Sequence, residues 1–153
     1  MNFGNLRRGE LIAIVGGAIL GLAVFLAWYK LSNQYAHIDQ HRGPDKTVSA
    51  WQGLQIIRYL LLAAAFAPLI LAYIILRDHA LSWPRGELTA VVAITALTLV
   101  LVRGLIIKPG SPAGEITLDF GWYVALVGSA IMLVGAVTRA GQQSAARKPP
   151  GVL

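Results

Sequence analysis

The stretch LIAIVGGAILGLAVFLAWY, residues 11–29, has nineteen residues, no charge, and the aromatic pair Trp28-Tyr29 at its end. As an α-helix it rises about 28 Å at ~1.5 Å per residue, close to the hydrocarbon thickness of a bilayer. The block Arg8-Gly9-Glu10-Leu11-Ile12-Ala13-Ile14-Val15 leads into it. A near copy, Arg85-Gly86-Glu87-Leu88-Thr89-Ala90-Val91-Val92, recurs 77 positions later. Each copy puts a glutamate in the first turn of an apolar helix, at the positive end of the helix dipole. Each also puts an arginine where an anionic leaflet would meet it.

Composition supports a membrane reading. Of 153 residues, 56% are hydrophobic and 13% charged, about half the usual charged share of a soluble domain. The length allows one compact membrane domain and no sizeable soluble one. The chain has no cysteine, which excludes disulfides, thiol catalysis and cysteine metal sites. The formal charge of +6 flanks apolar spans, so its expected counterpart is anionic lipid rather than nucleic acid.

Outward from the first span, residues 1–10 form a polar leader with Arg7 and Arg8. No small-x-small cleavage site follows the apolar run: Phe25 stands two before Ala27, and Gln34 two before Ala36. The expectation is an uncleaved signal-anchor helix. Residues 30–53 are a polar connection broken at Gly43-Pro44, with Ser49 placed to cap a following helix. A second span covers 54–76 and carries Arg58 and Pro68; the proline predicts a kink near Ala64. A third covers 88–107 with Arg103 near its end, and a fourth covers 120–138. Residues 139–153, RAGQQSAARKPPGVL, are basic and proline-ended and read as a disordered cytoplasmic tail. The expected fold is all-α: a four-helix integral membrane bundle, with a repeat compatible with a 2+2 internal duplication.

Charge sets the orientation. The leader, the 77–87 link and the tail hold seven basic residues, Arg7, Arg8, Arg77, Arg85, Arg139, Arg147 and Lys148. With Arg58 and Arg103 assigned to the spans, the opposite side holds four, Lys30, Arg42, Lys46 and Lys108. Both termini are therefore expected in the cytoplasm. Trp28, Tyr29, Trp51, Tyr59, Trp122 and Tyr123 then fall at the outer ends of the spans, as an interfacial aromatic belt would.

The RRGE leader, the aromatic pair ending span one, the Ser49-Ala50-Trp51 entry to span two and the two further spans resemble a broad group of small, mostly actinobacterial four-helix membrane proteins. That group commonly ends its first span Leu-Pro-Trp-Tyr, where this chain has Leu26-Ala27-Trp28-Tyr29. The resemblance covers most of residues 7–138. It implies a topology and a bacterial setting, and no activity.

Candidate chemistry is sparse. His37, Asp39 and His41 alternate, so an extended segment would turn all three to one side as weak metal ligands; a solvated loop is the expected reading. Gly17 and Gly21 in span one, and Gly128 in span four, offer smooth surfaces for helix packing or a homo-oligomer contact. No Ser/His/Asp set, phosphate-binding glycine loop or HExxH is present, and no acidic residue or histidine lies mid-span to relay ions. Arg58 and Arg103 lie at similar depth, each about 6 Å below the outer boundary. Either they snorkel, or they form an outer polar cluster with Asp119, Glu115 or a lipid phosphate. No cofactor is expected. The partners expected are the bilayer and a membrane protein or second copy. The leading functional expectation is a non-enzymatic accessory or scaffold subunit of the bacterial envelope. The alternatives are a small transporter or channel component, and an enzyme using the outer loop as a metal site. A stoichiometric partner would mark the first, and solute flux through liposomes the second.

Overall fold

The computed structural model describes residues 8–77 and 85–146. In chain order its elements are α1 (Arg8–Ala23), β1 (Ala27–Leu31), β2 (His37–Ile38), β3 (His41–Arg42), β4 (Thr47–Ser49) and α2 (Ala50–Gly53). There follow α3 (Ile57–Leu76), α4 (Arg85–Leu101), a π-helical turn (Val102–Ile106), a 3₁₀ turn (Ala113–Glu115), β5 (Ile116–Leu118) and α5 (Phe120–Ala146). The chain is mostly helical. Among the described residues three helices are long and apolar enough to cross a membrane: Ile57–Leu76, Gly86–Ile106 and Phe120–Gln142. Sheet is present as well, so the fold is not purely α.

The first apolar stretch does not stay helical to its end. α1 stops at Ala23 after 16 residues, about 24 Å of helix. The carbonyls its last turn leaves open are taken by the residues that follow. Phe25 N donates to Leu22 O (3.1 Å), Leu26 N to Ala23 O (3.1 Å), and Trp51 N to Val24 O (3.0 Å). The Trp28 indole Nε1 also donates to Ala23 O, at 2.7 Å. The residues expected to finish span one thus cap it instead, and Trp28-Tyr29 enter β1.

β1 is the centre of a three-stranded antiparallel sheet of order β4-β1-β5. Tyr29 pairs with Val48 on one side and Leu118 on the other, and Lys30 with Thr47 and Thr117. The sheet joins the two polar connections that the sequence reading leaves as loops. Ser49 closes β4 and caps α2, in a capping box with Gln52, as its position before the helix leads one to expect. α3 begins three residues later than the expected span and continues through Pro68 to Leu76.

The helices meet in pairs: α1 with α5 and α3, and α4 with α5 and α3. The α1–α5 contact is glycine on glycine. A Cβ on Gly9 would lie 2.7 Å from Gly135 O, and one on Gly128 would lie 2.7 Å from Leu20 N and 3.0 Å from Gly16 O. Gly9 meets Gly135 while Gly16 meets Gly128, so the two helices run antiparallel. The spacing of seven on both helices repeats the contact every two turns. Backbones approach this closely only where side chains are absent. Gly17 and Gly21 face the other way. A Cβ on Gly17 would lie 2.5 Å from Ala65 O, and one on Gly21 would lie 3.4 Å from the Ala65 Cβ. All three predicted packing glycines therefore make contacts within the chain.

The interior holds Leu20, Val24, Trp28, Tyr29, Leu61, Val100, Ile116 and Met132. Outward faces remain apolar: Val15, Leu22, Phe66, Ile70, Val91, Ile94, Val127 and Val134 are all exposed. So much exposed apolar surface on paired helices is what lipid accepts and water does not.

α5 passes the expected end of span four and runs to Ala146. Residues 139–146 are helical where the sequence reading begins a disordered tail, because Arg139 and Ala140 pack on the starts of α1 and α4. The remainder of that tail, 147–153, lies outside the described residues, as do positions 1–7 of the leader and 78–84 of the link.

Candidate functional site

The residues singled out from sequence gather at the sheet end but do not meet as one cluster. Arg58 lies in the first turn of α3. Its Nη1 donates to Trp51 O at 2.8 Å and its Nη2 to the Tyr59 hydroxyl at 3.0 Å. The guanidinium lies 4.6 Å from the centroid of the Trp51 ring and 4.7 Å from that of Tyr59, within cation–π range of both. Trp51 in turn stacks on Phe25 at 5.5 Å.

Arg103 falls in the π-helical turn and lines an open groove of about 350 Å³ together with Asp39, Gln52 and Gln55. Asp119 Oδ1 accepts from Phe120 N at 2.7 Å at the start of α5, where the helix dipole favours a carboxylate. Glu115 closes the 3₁₀ turn, and its carbonyl accepts from Ser32 N. Among the described residues neither arginine forms an ion pair with Asp119 or Glu115. Trp51 and the aromatic rings lie within reach of Arg58, and Asp119 is held to its own helix start.

The histidine loop folds as a hairpin, not an extended segment. His37 pairs with Arg42 and Ile38 with His41, and Asp39 turns the chain with φ +51°. Cross-strand partners share a face, so His41 sides with buried Ile38, and His37 with Arg42 on the other face. The alternation that would have aligned His37, Asp39 and His41 is broken at the turn. Among the described residues no three His, Asp or Glu side chains are grouped to hold a metal ion.

Half of the expected aromatic belt is interior. Trp28, Tyr29 and Trp122 are buried, whereas Tyr59 and Tyr123 are exposed. The Tyr29 hydroxyl donates to Arg103 O at 3.1 Å. Burial pushes this phenol above its ordinary range, opposed in part by the Arg103 charge, so it stays a neutral donor. The Trp122 Nε1 donates to Val100 O at 2.8 Å. Its indole lies against Gly104, and the glycine admits it beside the π-helical turn, where an inserted side chain widens the helix.

At the opposite end lies a polar group that sequence reasoning missed. Glu10 of α1 and Arg139 of α5 form a buried ion pair. Buried Thr89 of α4 lines the same small cavity, with Pro68 and Ile75 of α3 closing it. The antiparallel α1–α5 contact makes the pair, because it brings the start of one helix to the end of the other. Glu10 also suits the helix start it occupies. The signal present in the sequence was the repeat itself. Gly9 and Gly86 both seat on α5, their Cβ positions 3.1 Å from Arg139 N and 2.9 Å from Ala140 N. Glu10 is buried but Glu87 is exposed. A two-fold axis carrying α1 to α4 and α5 to α3 would have placed Gly86 on α3 instead.

No protein-family model matches this chain, and no curated protein is similar enough to match it.

Proposed function

We propose that this is a multi-pass protein of the bacterial plasma membrane. In this reading α1, α3, α4 and α5 form one four-helix bundle of spans, with both termini and the Glu10–Arg139 pair on the cytoplasmic side. The sheet β4-β1-β5 is its outer cap. It acts as a non-enzymatic accessory or scaffold subunit for another envelope component.

One observation carries the reading. Most of the side chains at the sheet end that could carry chemistry are engaged in closing the fold. The indoles of Trp28 and Trp122 hold helix carbonyls, Asp119 holds the start of α5, and Arg58 holds the Trp51 carbonyl. What remains outward is an apolar girdle and a small polar cap bearing exposed Lys30, Arg42, Asp45 and Lys46. Such a surface suits docking to a partner better than turnover.

A second reading, a small transporter or channel component, draws on the buried pair. Ionisable groups inside a helical bundle are functional candidates in their own right. Purification of the tagged protein from native membranes separates the two. The expected result is a stable stoichiometric protein partner. Solute flux by the pure protein in liposomes, with no partner recovered, would overturn the scaffold reading in favour of transport.

A further inference from the structure

We infer that the α1–α3 face binds an anionic phospholipid, with its phosphate on Arg58 and an acyl chain in the groove below. This deepens the membrane reading above and rests on it. The groove has a volume of about 370 Å³ and only apolar residues line it. Its floor is where the helix backbones touch, at Gly17 and Ala65. Leu22 and Phe25 form one wall, and Leu62 and Phe66 the other. It exists because Gly17, Ala18 and Gly21 supply no bulk between those walls. From Leu62 to Leu69 it follows α3 for about 10 Å, parallel to the direction a lipid chain takes.

Arg58 stands one helical turn above Leu62 on the same face of α3. Phe25, at the sheet end of the groove, stacks on Trp51, whose ring carries the Arg58 guanidinium. The groove and the cation are therefore joined through one aromatic contact. Two bonds, to Trp51 O and the Tyr59 hydroxyl, fix the guanidinium in place. They use one N–H on each terminal nitrogen and leave a second N–H on each to donate to a phosphate. The Nε is buried with no hydrogen-bond partner, and among the described residues no carboxylate pairs with this charge. A half-buried cation so held still needs an anion. In a bilayer the anion at that depth, above an open apolar groove, is a lipid phosphate. Charge selects the lipid class; the groove makes it a lipid rather than a free ion.

The test uses the purified full-length protein in detergent, with phosphatidylglycerol or phosphatidylcholine titrated in and binding read by native mass spectrometry. Both lipids carry the same phosphate, but the choline cation of phosphatidylcholine opposes Arg58, so wild type should retain phosphatidylglycerol about fivefold more strongly, the scale of a ~1 kcal/mol charge–charge interaction in water. Arg58→Gln should erase that preference. Gly21→Leu, which fills the groove, should weaken both lipids alike while leaving the preference. Equal retention of the two lipids by wild type would overturn the site, as would an Arg58→Gln variant that keeps the preference. Displacement of phosphatidylglycerol by inorganic phosphate alone would overturn the acyl-chain half. Because Arg58 also supports Trp51, Arg58→Lys is the companion variant: it keeps the charge without the paired terminal nitrogens and should show an intermediate preference. A protein recovered in the soluble fraction without detergent would defeat the membrane reading itself. A protein that needs detergent yet lacks lipid preference would defeat only this site.

Discussion

Glu10 and Arg139 show how much one residue's meaning depends on its partner. In sequence, Glu10 is a first-turn carboxylate in a polar leader, and Arg139 is the first residue of a basic tail. In the fold both are buried, at 7% exposure each, and they meet. Ion pairs at such burial cost desolvation that the mutual attraction only roughly repays, but removing one partner strands the other. Glu10→Leu or Arg139→Met alone should each destabilise by about 3–5 kcal/mol. The double variant should cost less than the worse single one. Equilibrium unfolding in mixed detergent micelles reads these differences; additive losses would show that the two groups act independently.

At the scale of elements, α1 has two working faces with different tolerances. Gly16 abuts the backbone of α5 at Met132 and Gly128, where nothing can move aside. Gly21 looks toward the Ala65 Cβ at 3.4 Å, an ordinary contact. Gly16→Ala should therefore force the helices apart and cost about 1–3 kcal/mol. Gly21→Ala should be neutral or slightly stabilising, since alanine is the better helix former by up to ~1 kcal/mol. Thermal unfolding of the two variants side by side checks this, and equal losses would show that the α1–α5 stripe is not the tight contact.

For the whole molecule, the sheet determines which ends lie together. Strands from the two connections pair on β1, so the Lys30 and Ile116 regions share one end, while the starts of α1 and α4 and the close of α5 share the other. With no native cysteine to interfere, Ser32→Cys, Ser111→Cys and Glu87→Cys can each be labelled in intact cells with an impermeant thiol reagent. Ser32 and Ser111 are exposed at the sheet end and Glu87 is exposed at the opposite end. The first two should react and the third should not. The reverse pattern would invert the proposed orientation, and labelling of all three would remove the membrane placement.

Hydropathy alone determined the long apolar helices α3, α4 and α5, because a run of unbroken apolar residues needs no neighbour to be legible. The Ser49 cap was legible for a similar reason: its hydrogen bonds reach only three residues. Only the tertiary structure decided where the first span ends. Trp28 and Tyr29 continue the uncharged run of the helix before them, and their strand exists because β4 and β5 arrive from roughly 20 and roughly 90 residues away to pair with it. Tertiary structure also decided which glycines touch, that His37 and His41 part company, and that Arg58 turns to aromatic rings rather than to Asp119. The strand and the glycine contacts depend on partners distant in the chain, and residue types in sequence order carry no record of that distance. The His37–His41 turn and the Arg58–Trp51 contact are local, but the same residue types allow several local conformations, and packing selects one.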